Sequence, residues 1–172
     1  MQFGLRYGEL YQMSYITRDM DAALEHCEKE LGLSGFNVGE PEVDVMSFGK
    51  VQSLRIRAAT KNVGRQQFEI IQPVSGPTHV YTDEVDLNAH IINFHHVAIA
   101  VTGGFENWEK LIAEVRASGD EFAFLSPFEP VENPMLCFCY VDTRKRLGHY
   151  TEFMWWDPAM EGVIPALPDL KA

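Results

Sequence analysis

The sequence predicts an α+β fold in which two tandem βαβββ modules form a curved mixed sheet around a cavity, with the helices outside. Three observations carry this. Residues 10–33, LYQMSYITRDMDAALEHCEKELGL, read as a short apolar strand, a turn with an Asp and an amphipathic helix. Residues 93–119, NFHHVAIAVTGGFENWEKLIAEVRASG, repeat that order with Gly103-Gly104 at the turn. Each copy leads to a later strand with one carboxylate among large apolar residues, QFEII at Glu69 and YTEFMWW at Glu152. Gln12 precedes Glu69 by 57 residues, and His96 precedes Glu152 by 56.

The first module runs over 8–75. Asp19 is a good N-cap, and Met20, Ala23, Leu24, Cys27 and Leu31 recur at helical spacing up to Gly32. Three extended stretches follow: EVDVMSF, SLRIRAA and QFEIIQP. In SLRIR, Leu54 and Ile56 point one way and Arg55 and Arg57 the other, as in a half-buried antiparallel strand. Residues 76–92 lack a clear period and read as a linker, with a short helix near Asp86–His90. The second module covers 93–157. Phe105, Trp108, Ile112 and Val115 set its helix face, and Ser118-Gly119 ends it. EFAFL, MLCFCYVD and HYTEFMWW supply its later strands. Residues 158–172, broken by Pro158, Pro165 and Pro168, read as an irregular tail.

Composition excludes several function classes. The chain has 172 residues, 46% of them hydrophobic, which is ample for a core. A net charge of −11 argues against nucleic acid and against an anionic membrane surface. No apolar run approaches the roughly 20 residues of a membrane-spanning helix, and the start MQFGLRYGEL reads as no secretory signal. Three cysteines, Cys27, Cys137 and Cys139, suggest reduced thiols and a cytoplasmic protein. Cys137 and Cys139 share one strand face, as buried apolar residues or as soft-metal ligands.

Two copies of one unit bring Gln12, Glu69, His96 and Glu152 to matching positions. Together they make an N/O ligand set suited to a divalent ion: Zn, Ni, Co, Mn or Fe(II). A carboxylate buried in an apolar strand is costly unless paired. The competing reading pairs Glu69 and Glu152 with Arg55 or Arg57. In a regular strand the adjacent His95 and His96 point to opposite faces, which puts His95 near the outer face or the strand start.

FHHVAIAV, the opening YITRDMDAALEHCEKELGL and the end strand GHYTEFM resemble the vicinal oxygen chelate superfamily over roughly residues 8–157. That superfamily holds glyoxalase I, methylmalonyl-CoA epimerase, extradiol dioxygenases and bleomycin-resistance proteins. The resemblance places metal ligands at Gln12, Glu69, His96 and Glu152. It implies a divalent-metal-dependent isomerase, epimerase or lyase that abstracts a proton from a small oxygenated or acyl-thioester substrate. Glu152 is the leading base and Glu69 its pseudo-symmetric counterpart, with Tyr150 and Met154 the nearest cavity-facing neighbours. Arg144, Lys145 and Arg146 would meet coenzyme A phosphates, or form a solvated turn. The resemblance also implies a homodimer. Two alternatives stay open: a non-catalytic binder of aromatic or drug-like molecules, with Trp108, Trp155, Trp156 and Phe138 in its pocket, and an Fe(II) extradiol dioxygenase. The latter favours two His and one carboxylate, whereas Gln12 stands where the second His would be.

Overall fold

Period-two alternation sorts the strand side chains onto two faces, and the architecture follows from that sorting. A computed structural model of the chain describes residues 6–160. Strand β1 (Gly8–Ile16) leads to helix α1 (Met20–Leu31), a three-residue strand β2 (Asn37–Gly39), and strands β3 (Glu42–Ser47), β4 (Lys50–Val63) and β5 (Gln66–Ser75). A four-residue helix α2 (His79–Thr82) lies in the connection. The order then recurs in β6 (Asn93–Val101), α3 (Phe105–Ser118), β7 (Phe122–Ser126), β8 (Leu136–Val141), the short α4 (Arg144–Leu147) and β9 (Tyr150–Trp156).

The strands form one mixed sheet, ordered β2-β4-β3-β7-β8-β9-β6-β1-β5, and β4 also pairs with β5. That pairing closes eight strands into a ring, with β2 attached to β4 outside it. Closure removes the exposed edges that a small open sheet would carry. β1 runs parallel to β5 and β6 parallel to β9, while antiparallel β1 and β6 join the halves.

Outward-facing residues meet the helices. Phe68 and Ile70 pack with Met20, Ala23 and Cys27 of α1. Cys137, Cys139, Phe153 and Trp155 pack with Trp108, Leu111, Ile112 and Val115 of α3. Burial pushes the Cys137 thiol up to about 12 and the Cys139 thiol well above its ordinary value. Both thiols are fully buried in this apolar cluster, as core residues are. Trp108 and Trp155 are likewise core, and Trp156 packs edge-on against Tyr11. The inward face carries Gln67, Glu69, Phe138, Tyr140, Glu152 and Met154.

Both helices stop at a glycine in the left-handed region, Gly32 (φ 66) and Gly119 (φ 75). α1 starts at Asp19, whose side chain accepts from the N–H groups of Asp21 and Ala22. Asp19→Ala should lower stability by about 1 kcal/mol with the fold unchanged, read as a lower urea midpoint at constant slope.

The connection differs from the sequence expectation. Its helix is His79–Thr82, not Asp86–His90, where Asp86 only closes a turn onto Asn88 and Ala89. The physical reason is burial. Val80 and Tyr81 insert into the cluster of Phe124, Tyr140 and Tyr150, whereas 86–90 offers no comparable apolar pair. In the tail, Pro158–Met160 form a 3-10 turn, and the rest lies outside the described residues.

Candidate metal centre

A bulge in β6 builds the site. Its pairing with β1 runs Gln12↔Ala98, Met13↔Val97 and Ser14↔His96, then jumps to Tyr15↔Phe94. His95 is the extra residue, and a bulge re-aims side chains. Both imidazoles are therefore buried, with their Nδ1 atoms 2.9 Å apart. This corrects the expectation that His95 lies near the outer face, which holds only for a regular strand.

The two rings form a relay that sets the tautomer of His96. His95 Nε2 lies 2.9 Å from the Val80 carbonyl oxygen, which can only accept. His95 donates there, so its Nδ1 accepts from His96 Nδ1–H. Burial keeps both rings neutral, lowering each to about 3, with the neighbouring His96 adding to the effect on His95. His96 Nε2 is left as a bare lone pair. It faces Glu152 Oε2 at 3.2 Å, the Tyr140 hydroxyl at 3.3 Å and Glu69 Oε2 at 3.7 Å.

The carboxylates arrive from opposite walls. Glu152 of β9 sits between Ala98 of β6 and Tyr140 of β8. Glu69 of β5 sits between Ser14 of β1 and Thr60 of β4. Desolvation raises each carboxyl to about 8. For Glu69 the Glu152 charge adds to this, and the nearby Ser14 hydroxyl opposes it. The arginine reading does not hold: Arg55 pairs with Glu40 and Arg57 with Asp21, on the other face of the sheet.

Gln12 is oriented by a second relay. Gln67 donates to Asn62 Oδ1 at 3.1 Å and accepts from Gln12 Nε2 at 2.7 Å. This leaves Gln12 Oε1 buried without a hydrogen-bond partner among the described residues, as is Glu69 Oε2. Gln12, Glu69 and Glu152 line one cavity of about 330 Å³, and His96 lies immediately behind its wall. Buried acceptors left without a donor, as Gln12 Oε1 and Glu69 Oε2 are, are costly unless a proton or a cation joins them.

Among the described residues no three His, Cys, Asp or Glu side chains form a ready-made metal cluster. The donor set nevertheless fits a divalent ion. Two ligands each about 2.0–2.2 Å from one ion lie roughly 3.0–3.6 Å apart. The 3.2 and 3.7 Å separations from His96 Nε2 are close to that spacing. The two orphaned oxygens of Gln12 and Glu69 are hard ligands of the kind such an ion takes.

Sequence reasoning missed three residues of this site: Tyr140, Gln67 and Tyr81. The first two had a signal. Tyr140 alternates with the outward cysteines, and Gln67 is two residues from Glu69, so both belong to the inward face. Tyr81 comes from an aperiodic connection and had none. Of the two expected neighbours of Glu152, Met154 lines the cavity, while Tyr150 packs on His95 with ring centroids 4.9 Å apart. His149 is turned to the Tyr150 carbonyl and the Phe94 ring.

The electrostatics give a pH expectation for metal-free protein. A carboxyl raised from 4.5 to about 8 on folding binds more protons folded than unfolded between those values, so stability falls as pH rises through that window. The histidines, lowered from 6.5 to about 3, act oppositely but only below about 6.5. Between about pH 6.5 and 8 the carboxylates act alone. The thermal midpoint should fall across that interval, and Glu69→Gln should flatten the slope. A midpoint that rises there would contradict the burial of two uncompensated carboxyls.

No family model matches the sequence, and no curated protein does. Solved structures do. A methylmalonyl-CoA epimerase of Streptomyces coelicolor superposes with a TM-score of 0.56 at 15% identity, over 88% of this chain and 96% of that one. The hypothetical protein BH1468 of Bacillus halodurans gives 0.53 at 18%, again over 88% and 96%. The methylmalonyl-CoA epimerase of Mycobacterium tuberculosis gives 0.53 at 14%, over 94% and 96%. The chain has the vicinal oxygen chelate fold. At these identities the likeness is one of fold. Gln12 of β1, Glu69 of β5 and Glu152 of β9 line the cavity, and His96 of β6 meets both carboxyls. No helix among the described residues is long and apolar enough to cross a membrane.

Proposed function

We propose that the protein is a divalent-metal-dependent enzyme that moves a proton at a carbon next to a carbonyl, as an isomerase, epimerase or lyase. One observation carries this reading: a tautomer-locked imidazole lone pair faces two carboxyls raised to about 8 at the inner pole of a cavity. Gln12 Oε1, Glu69, His96 Nε2 and Glu152 would hold the ion. A Zn, Ni, Co, Mn or Fe(II) ion there would supply positive charge to stabilise developing negative charge on a substrate oxygen.

The chain's own residues do the rest. Glu152 is the leading base. Along β8 and β9 the pair next to Tyr140–Glu152 is Phe138–Met154, so Glu152 stands where the apolar neck meets the polar pole. It takes the α-proton: the C–H bond breaks, an O–H bond forms on the carboxylate, and the electron pair moves onto the carbonyl oxygen. Returning the proton to the other face of that carbon inverts it. Glu69 on the opposite wall is the counterpart that could deliver it. The Tyr140 hydroxyl, 3.3 Å from His96 Nε2, helps hold the pole in register, and burial excludes water. In support, the Streptomyces epimerase was solved with 2-nitronate-propionyl-CoA and another epimerase with methylmalonyl-CoA.

Deuterium exchange from solvent into 2-oxo, 2-hydroxy-acyl and acyl-thioester compounds tests the reaction. Metal-loaded protein should exchange the α-proton, and a chelator should stop it. A second reading, a sequestering protein, is favoured by the apolar lining of the cavity. It would be adopted if aromatic ligands bind tightly and no compound exchanges. The dioxygenase is disfavoured because both nitrogens of His95 are engaged, leaving His96 as the one imidazole at the pole among the described residues.

A further inference from the structure

The cavity is polar at one pole and apolar elsewhere. Leu54, Ile56, Phe138, Met154 and Val43 line the path outward from Glu69 and Glu152, and among the described residues no Lys or Arg lines it. Its exposed lining residues are Pro41 and Leu136, which mark the opening. Glu40 and Glu42 flank Pro41, and the arginine nearby, Arg55, is already paired with Glu40 at 2.9 Å.

The basic turn of α4 lies elsewhere. Arg144 stacks on Tyr150 at the start of β9, while Leu136 at the opening pairs with Trp156 at its end. That is about 20 Å along the strand. The end near Tyr150 is filled by Tyr81, which is 2% exposed and packs on His95, Phe124 and Tyr140. Arg144 is also bound to Asp142 and Glu84, and Arg146 to Asp120. A molecule entering at Pro41 and Leu136 with its reacting carbon at Glu152 would put any trailing phosphates among acids, away from this turn.

We infer that the substrate is a small neutral molecule with an oxygenated head and an aryl or branched-alkyl tail, and that coenzyme A thioesters are excluded. The inference deepens the proposed reaction and rests on the same pole. The head meets the acceptors and the ion they hold, and the tail fills the neck. A cavity of about 330 Å³ is near the lower end of small-molecule sites, which suits a single ring or short branched chain. Phosphates, by contrast, need cationic or N–H contacts that this lining does not offer.

Two probes share one lactoyl head: 2-hydroxy-1-phenylpropan-1-one, with a phenyl tail, and lactoyl-CoA. Binding to zinc-loaded protein is measured by calorimetry, and exchange of the α-proton by NMR on the same samples. The phenyl ketone should bind at least about tenfold more tightly, a difference of about 1.4 kcal/mol. Ile56→Arg, which puts a cation into the neck, should narrow or reverse that ratio. Equal or tighter binding of lactoyl-CoA by the wild type overturns the inference, as does failure of the ketone to bind at millimolar concentration. A ketone that binds preferentially yet never exchanges leaves the substrate class standing and removes the reaction instead.

Discussion

Glu152→Gln should lower α-proton exchange by on the order of a hundredfold or more, the scale of losing a positioned general base. The substitution is nearly isosteric and keeps an oxygen that can face His96, so folding and metal binding should largely survive. What disappears is the group that accepts the proton. Single-turnover exchange with saturating substrate separates this loss from a weaker affinity. A variant that exchanges within about threefold of wild type would remove Glu152 from the base role and leave Glu69 as the candidate.

His96→Ala should weaken divalent-metal binding by more than about a hundredfold, beyond the 10–100-fold typical of an outer-sphere change. His96 is the nitrogen donor proposed for the pole, and the relay through His95 to the Val80 carbonyl holds its lone pair inward. His95→Gln serves as the comparison. It disturbs the relay while leaving the ligand, so its loss should stay in the outer-sphere range. Competition with a chromophoric chelator reads both. Equal losses would mean that the bulge as a whole, not the His96 lone pair, is being damaged.

The alternation of QFEII, LCFCYV and YTEFMWW was readable because one face of each strand packs under a helix and the other faces the cavity. So were the two helices, whose starts and stops are local: Asp19, Gly32 and Gly119 act within a turn of their own backbone. The near-equal intervals from Gln12 to Glu69 and from His96 to Glu152 brought the candidate residues together before any geometry was known. The bulge at His95 was not legible. HHV carries no bulge signal, and the jump arises from how β6 meets β1. The long-range pairings that complete the ring, β1 with β5 and β3 with β7, depend on the curvature of the entire sheet. Tyr81 packs into the cavity from a segment without period, because a buried end needs an apolar plug and this connection passes over it. Each of these features depends on tertiary packing that short-range pattern does not encode.

Metal titration of the full chain by calorimetry, in two buffers of different ionisation enthalpy near pH 7, tests whether Gln12, Glu69, His96 and Glu152 hold a divalent ion. Burial disfavours the charge on both carboxyls, so a divalent ion that binds the pair displaces protons from it. Saturable binding of roughly one ion per chain with net proton release is expected, and loss of both in His96→Ala. Absence of saturable binding, or binding that releases no protons and persists in His96→Ala, would contradict that ligand set.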